Sequence, residues 1–145
     1  MDVLEAMRTT GTCRYFRADP VPDDVLHDAF EAARFGPQGG NRQPVRFVVV
    51  RDPQRRRKLA DLYLERWRLY LDDRFQLSAD GELPSALRPV DHFARHFGDI
   101  PVIIVVCAEL AALHPTDTEL GRLSIVGGGS VYPIVQNLCL ALRAA

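Results

Sequence analysis

Residues 36–47 read Gly-Pro-Gln-Gly-Gly-Asn-Arg-Gln-Pro-Val-Arg-Phe, and this stretch decides how the chain on either side of it can fold. Its two prolines and three glycines cannot continue the alanine-rich helical pattern that precedes it. The apolar run that follows, Val45 to Val50, is typical of a strand. The stretch therefore predicts a shaped loop that joins a helix to a strand.

The side chains of this loop suit a flat polar ligand. Gln38, Asn41 and Gln43 supply amide donors and acceptors, while Gly39 and Gly40 permit a positive φ and a close approach of the backbone. The alternative is an ordinary helix-to-strand connection, although such connections are usually only a few residues long.

Composition places the chain among single soluble domains with a real core. It has 145 residues, of which 47% are hydrophobic and 26% are charged. The formal net charge is −1, so no global field attracts nucleic acid or an anionic membrane. The three cysteines lack CxxC spacing, which argues against a disulfide framework and a zinc site.

The sequence shows neither a signal peptide nor an apolar run of the roughly 18 residues needed to span a membrane. Together with the unpaired cysteines, this pattern favours a reducing cytoplasm. We therefore expect a cytoplasmic protein with no nucleic-acid partner and no membrane partner.

Two helices are predicted before the loop. Asp2 is placed to cap a short helix over 3–8, and Pro22 lies near the first turn of a second helix that Gly36 is placed to end. Between these helices, hydroxyl and guanidinium groups interleave over 9–17. Such groups suit a phosphate dianion, so this segment is either a phosphate-binding turn or an ordinary solvated turn.

A long helix is predicted after the strand, from Asp52 to about Asp73. We interpret the basic run 55–58 in its first turns as a solvated face rather than a nucleic-acid patch, because isolated basic clusters are common. The segment 76–89 has little periodicity and is either a substrate-facing lid or a plain connector.

His92 and His96 are four residues apart, a spacing that can bind a metal on a helix. No third ligand is placed by the sequence, and Phe93 and Phe97 indicate instead a packed helix edge. We therefore interpret the histidine pair as structural and predict no metal site.

Two apolar elements are predicted near the end of the chain. Residues 100–107 are almost wholly apolar and β-branched, which is typical of a central strand covered on both faces. Ser130 is placed to cap a last helix with Pro133 in its first turn. That helix is apolar nearly all round, as expected in a core or a dimer interface.

The order of these parts resembles the FMN-dependent nitroreductase family. Family chains open with a short helix, an Arg/Ser-rich turn and Phe before Pro-Val-Pro, matched here by 10–16 and 20–22. The family motif Pro-Ser-x-x-Asn-x-Gln-Pro-Trp-x-Phe is matched by 37–47, with Gln38 in place of the serine and Val45 in place of the tryptophan. An apolar strand entered by Ile-Pro and a Gly-Ser-Val-Tyr-Pro-x-x-Gln-Asn-Leu helix also match, so the resemblance covers essentially the whole chain.

The resemblance implies a fold of the α+β class, a nitroreductase-like three-layer α/β/α sandwich with a mostly antiparallel sheet flanked by helices, as a single domain over 1–145. It also implies a homodimer that binds FMN at its interface. The implied reaction is ping-pong hydride transfer from NADH or NADPH to a small-molecule electrophile such as a nitroaromatic or a quinone, with no catalytic side chain identified. Two alternatives are an oxygen-dependent flavin-fragmenting enzyme of the same superfamily and a non-catalytic flavin- or nucleotide-binding protein.

The resemblance further implies which residues bind FMN. Thr12 takes the place of the family serine at the phosphate, and Arg14 that of the cation near the pyrimidine edge of the flavin. Thr10 stands where the family usually has arginine, and Arg8 could substitute only if the turn bends to bring it in. The residues expected to meet the flavin across the dimer interface are Pro37, Gln38, Gly39 and Asn41.

The chain stops inside a helical pattern at 137–145. Family members continue with Gly-Leu-Gly, further strands and a basic segment that also holds the FMN phosphate. We therefore expect the 145 residues to be the C-terminally incomplete portion of a longer polypeptide, and to aggregate or bind FMN poorly when expressed alone.

Overall fold

The structure is a computed structural model that describes residues 1–76, 82–113, 119 and 126–145. The described residues form five α-helices and one two-stranded sheet, with short 3-10 turns between them. In chain order the elements are α1 Val3–Thr9, α2 Asp23–Ala33, β1 Val45–Val50, α3 Pro53–Phe75, α4 Arg88–His96, β2 Ile103–Ala108 and α5 Tyr132–Ala144.

The chain divides into two compact units. The first comprises 1–11, 21–48 and 105–145, and the second comprises 12–20 and 49–104. Helices α1, α2 and α5 belong to the first unit, whereas α3 and α4 belong to the second. Among the described helices, none combines the length and the apolar character needed to cross a bilayer.

The predicted starts of α1 and α3 are confirmed. The carboxylate of Asp2 accepts the backbone N–H of Glu5 at 2.9 Å, and that of Asp52 accepts the N–H of Arg55 at 2.8 Å. Each bond satisfies a backbone donor that the helix itself leaves unpaired. Pro53 follows Asp52 at the first helical position, where its missing N–H costs nothing.

In the first unit, α5 packs against α2 and α1. The predicted role of Gly36 as the cap of α2 is wrong, because Arg34 caps the helix and Gly36 does not adopt a positive φ. Gly36 instead allows a close approach, since a Cβ atom there would lie 2.7 Å from the backbone nitrogen of Ile134. The chain after α2 therefore passes directly over the backbone of α5.

The start of α5 also differs from the prediction. Val131 precedes the helix without a side-chain cap, whereas the hydroxyl of Ser130 accepts the backbone N–H of Gly39 at 3.1 Å. Pro133 lies in the first turn, as predicted. The helix is not buried all round, because Ile134 and Leu138 are buried while Tyr132 is 71% exposed.

Strand β1 has the predicted bounds, and β2 begins at Ile103 rather than Ile100. The N–H of Glu109 donates to the carbonyl oxygen of Pro44 at 2.8 Å, so the end of β2 lies beside the start of β1 and the strands are antiparallel. Within the described residues, β2 pairs with β1 alone. Its side chains after Ile103 are half-buried or exposed, so the described part of the chain does not cover this strand on both faces as predicted.

The core of the second unit lies between α3 and α4, which pack against each other around Trp67, Leu71 and Ala94. The interpretation of the basic run 55–58 as a solvated face is wrong for Arg56. Its guanidinium donates to the carbonyl oxygens of Arg51, Gly98 and Ile100, whereas the other three residues of 55–58 are exposed. Of the predicted lid or connector, residues 77–81 lie outside the described residues.

Asp91 links the two helices of this unit. Its carboxylate accepts the indole N–H of Trp67 at 2.9 Å and the Nε–H of Arg95 at 2.6 Å. Partial burial raises the pKa of this carboxyl, but the hydrogen bonds from Arg95 and Trp67 and the charges of Arg95 and Arg68 outweigh burial and hold the pKa below its ordinary value.

This lowered pKa predicts acid-dependent stability. Because the folded state holds the charged carboxylate more strongly than the unfolded state does, Asp91 contributes stability above its ordinary pKa of 3.8, and that stability is lost as the pH falls through the lower folded value. We expect Asp91→Asn to unfold more easily than the wild type at neutral pH and to show a flatter acid dependence. Urea unfolding followed between pH 7 and roughly pH 3 measures this effect. Asp61→Asn, on the exposed side of α3, is the control, and an unchanged acid dependence in Asp91→Asn would contradict the assignment.

Candidate functional site

The loop between α2 and β1 forms one wall of a cavity of about 410 Å³ in the first unit. Residues Pro37, Gln38, Asn41 and Gln43 of the predicted motif line this cavity, so the structure gathers their side chains around one space. Gly39 contributes its backbone N–H to Ser130 instead. The other lining residues are Arg34, Phe35 and Gly36.

The backbone of this loop turns through left-handed conformations. Gly40 has a φ of 62°, Asn41 a φ of 51° and Gln43 a φ of 50°. The expectation of a positive φ is thus met by Gly40, but not by Gly39. A non-glycine residue held in this region costs on the order of 1 kcal/mol or more, and such residues cluster at ligand sites. The loop therefore has the irregular backbone that is typical of a binding loop.

The side chain of Gln38 has a buried oxygen atom without a hydrogen-bond partner among the described residues. Its Nε2 donates to the carbonyl oxygen of Arg34 at 3.4 Å, while its Oε1 is buried and accepts no hydrogen bond within the described part of the chain. A buried acceptor without a partner costs roughly 1–3 kcal/mol. A ligand N–H or O–H that reached Oε1 would remove this cost.

Sequence reasoning missed Arg34, Phe35 and Ser130. The Nε of Arg34 lies 3.2 Å from a carboxylate oxygen of Glu31, and its guanidinium lies 5.1 Å from the ring centre of Phe35. Phe35 is 73% exposed, so this aromatic ring stands beside the cavity without being part of a core. The Arg34-Phe35 pair directly before the loop could have indicated that these two residues belong to the site. The sequence around Ser130 does not indicate its bond to Gly39.

The predicted phosphate turn divides between the units. Thr10, in the first unit, donates its hydroxyl to the carbonyl oxygen of Ala6 at 2.7 Å, and it also caps the end of α1. This bond occupies the hydroxyl hydrogen that a phosphate would need. Thr12 and Arg14 belong to the second unit, where Thr12 is exposed and Arg14 is half-buried.

Arg14 lines a second cavity of about 220 Å³ that lies within the second unit. Its guanidinium lies 5.7 Å from the ring centre of Phe93, and one N–H donates to the carbonyl oxygen of Cys13 at 3.3 Å. The remaining lining residues come from the N-terminal segment and from α4 and the turn after it: Phe16, Ala18, His92, His96, Asp99 and Ile100.

The two histidines pack as an aromatic edge of α4. Their ring centres are 4.4 Å apart, and the ring of His92 also lies 4.5 Å from that of Tyr15. The Nδ1 atom of His96 lies 3.2 Å from a carboxylate oxygen of Asp99. Across the described residues, no three histidine, cysteine or acidic side chains gather as metal ligands would.

Comparison with known proteins finds a matching family and curated proteins that are similar over part of their length. The nitroreductase family matches residues 7–145 of this chain. A Thermus thermophilus protein named NADH dehydrogenase is 41% identical over 61 residues, which are 42% of this chain and 30% of that protein. Rat iodotyrosine deiodinase 1 is 31% identical over 64 residues, which are 44% of this chain and 22% of that protein. The matched segments thus span about a third or less of these curated relatives.

Solved structures share the fold. An iodotyrosine deiodinase bound to FMN and 3-iodo-L-tyrosine superposes with a TM-score of 0.71 at 19% identity, over 99% of this chain and 70% of that one. A nitroreductase with bound FMN from Desulfitobacterium hafniense gives a TM-score of 0.62 at 25% identity, over 99% of this chain and 66% of that one. The predicted nitroreductase-like α+β fold is thereby confirmed. Because the family match extends over nearly all of its residues, this chain belongs to the nitroreductase family.

Proposed function

We propose that the protein is an FMN-dependent oxidoreductase that uses NADH or NADPH to reduce a small electrophile such as a nitroaromatic or a quinone. The observation that carries this proposal is the nitroreductase-family match over residues 7–145. The names of the relatives agree with it, since one is an NADH dehydrogenase and one structure is a nitroreductase with bound FMN.

The loop cavity fits the polar edge of a flavin. A flavin presents ring N–H and carbonyl groups along one edge, and its ribityl chain adds hydroxyl groups. The unpartnered Oε1 of Gln38 needs such a donor, and the amides of Asn41 and Gln43 can both donate and accept. We propose that Pro37, Gln38 and Asn41 hold FMN through this cavity, and that Gly39, whose N–H is bonded to Ser130, meets the flavin beside it.

The N-terminal turn would hold the charged parts of the cofactor. Thr12 is exposed and can donate its hydroxyl to a phosphate, whereas Thr10 would first have to release its bond to Ala6. Arg14 supplies a permanent positive charge, which would stabilise negative charge on a bound ligand. When bound, FMN supplies electron transfer between the nicotinamide donor and the electrophile.

We further propose a homodimer in which the loop of one copy and the N-terminal turn of its partner complete one flavin site. The exposed apolar residues of the first unit support this proposal, because Val3, Leu4 and Met7 of α1 and Tyr132 of α5 are each at least 59% exposed. Obligate interfaces are large and apolar, as such a surface would provide. A flavin-loaded monomer in sedimentation would contradict the dimer.

Arg14→Ala is expected to weaken FMN binding by about ten- to a hundredfold, because it removes a charge-assisted hydrogen bond worth roughly 1.5–3 kcal/mol. Titration of the flavin-free native protein with FMN, followed by flavin fluorescence, measures this change. Arg55→Ala is the matched control, since Arg55 is exposed and only its backbone N–H takes part in the α3 cap. Arg56 is unsuitable because it holds three carbonyl oxygens. Equal affinities in Arg14→Ala and wild type would contradict the assignment.

Steady-state kinetics tests the reaction itself. We expect the native protein to oxidise NADH or NADPH in proportion to an added nitroaromatic or quinone. Consumption of FMN with oxygen would favour the flavin-fragmenting alternative, and bound FMN without any turnover would favour a binding protein. 3-Iodo-L-tyrosine should be assayed as an electron acceptor in the same experiment, because one relative is an iodotyrosine deiodinase.

A further inference from the structure

We propose that the outward face of α3 binds the same face of a second copy of this chain, with the two helices antiparallel. Leu62 and Leu69 are 61% and 51% exposed, and their spacing of seven residues places both side chains on one side of the helix. The opposite side carries Trp67 and Leu71, which are buried in the core of the second unit. Helix α3 therefore has apolar side chains on two faces, and the described part of the chain covers the inner one.

The outward face of α3 reads the same in both directions, with its charges reversed. Its six exposed residues, in chain order, are Lys58, Leu62, Glu65, Arg66, Leu69 and Asp73. The lysine lies four residues before the first leucine, and the aspartate lies four residues after the second. The central Glu65-Arg66 pair lies three residues inside each leucine. Steps of three and four residues keep these side chains on one helix face, so the face is complementary to an inverted copy of itself.

An antiparallel pair centred between Glu65 and Arg66 brings matching residues together. Leu62 faces the partner's Leu69, and Lys58 faces the partner's Asp73. Glu65 likewise faces the partner's Arg66, and the two-fold symmetry makes each contact twice. The leucines exclude water from the contact, and the charges fix its register and direction. A parallel pair would instead set each charge against the same charge of the partner.

The charges of this face lack partners within the described part of the chain. Lys58, Glu65, Arg66 and Asp73 form no ion pair with any described residue, whereas Asp91 and Arg95 on α4 do pair with each other. An inverted copy would supply an opposite charge to all four. Their side chains are already exposed, so the contact needs no rearrangement of the chain.

The dipole of α3 favours the same direction of pairing. The basic run 55–58 lies in the first turns, at the positive end of the helix dipole, and Asp72 and Asp73 lie in the last turn, at the negative end. Both placements are unfavourable in a single helix. An antiparallel partner brings acidic residues and the opposite dipole end to the basic run, and it brings basic residues to the aspartates.

The length of this face sets the strength of the association. From Lys58 to Asp73 the helix rises by about 22 Å, and one helix pair of this length belongs to the small interfaces that bury less than roughly 1,200 Å². We therefore expect a dissociation constant on the order of 10 µM. The face lies in the second unit, whereas the homodimer proposed for flavin binding uses the first unit, so neither association requires the other.

Charge reversal in two different chains tests the pairing directly. Sedimentation velocity of the native protein at low ionic strength should show an association step that Lys58→Glu and Asp73→Lys each weaken about tenfold, because each variant places two like-charge contacts in the symmetric pair. An equal mixture of the two variants should recover the step, since both contacts then join opposite charges. The double variant, with both changes in one chain, should recover it as well. Glu82→Lys, whose side chain is 92% exposed, is the control and should associate as the wild type does.

Recovery in the mixture cannot be explained by misfolding, because both partners carry their substitutions throughout. An association that ignores both single variants, or a mixture that stays as dissociated as its components, would overturn the inference. The flavin content of the same samples separates the two proposals. A wild type that holds FMN but shows no step sensitive to residues 58 and 73 overturns this inference alone. A protein that shows the step but takes up no FMN overturns the proposed function alone.

Discussion

Leu71→Ala is expected to destabilise the protein by about 2–5 kcal/mol, the largest effect we predict for a single substitution. Leu71 is 1% exposed and packs in the core of the second unit with Trp67 and Ala94. Truncation removes apolar contacts on all sides and leaves a cavity that the helices α3 and α4 can close only in part. The midpoint of urea unfolding, with the slope unchanged, measures the loss.

Leu69 on the same helix is the matched control for this substitution. Its side chain is 51% exposed, and surface substitutions usually change stability by no more than about 0.5 kcal/mol. Leu69→Ala should therefore unfold at nearly the same urea concentration as the wild type. If the two variants lost equal stability, the packing of α3 against α4 would have to be assigned differently.

Gly36→Ala is expected to be the second strongly destabilising change, by about 1–3 kcal/mol or more. The added Cβ would lie 2.7 Å from the backbone nitrogen and 2.9 Å from the Cα of Ile134. Backbone atoms cannot turn aside as a flexible side chain can, so the chain after α2 and the helix α5 would have to separate. Thermal unfolding should show a clearly lower midpoint.

Gly11→Ala makes the same chemical change where nothing lies within 4 Å of the new atom. It should be neutral or slightly stabilising, because alanine restricts the unfolded chain more than glycine does. A Gly36→Ala protein as stable as Gly11→Ala would show that α2 and α5 do not approach as closely as the structure places them.

Sequence patterns predict those elements of the fold that depend on interactions between residues close together in the chain. Asp2 and Asp52 cap helices with their own neighbours, and the alternating run of β1 needs no distant information. Local patterns assign Gly36 and Ser130 to helix caps, whereas both residues contact partners far along the chain. The bond between Ser130 and Gly39 spans 91 residues, and no pattern around either residue indicates it.

The candidate site was predictable to a similar extent. The amides and glycines of the loop indicated a ligand, and the structure places Gln38 and Asn41 on one cavity. The second cavity was not predictable, because it depends on how the segment carrying Arg14 meets the rings of α4. The sequence indicates a structural role for His92 and His96, and their rings do pack, but they also line that cavity.

The absorption spectrum of the protein purified in its native form tests the central claim most directly. The account predicts the yellow absorbance of oxidised FMN, with about one flavin released per chain on denaturation and loss of that flavin in Arg14→Ala. A colourless native protein that fails to take up added FMN would contradict the account.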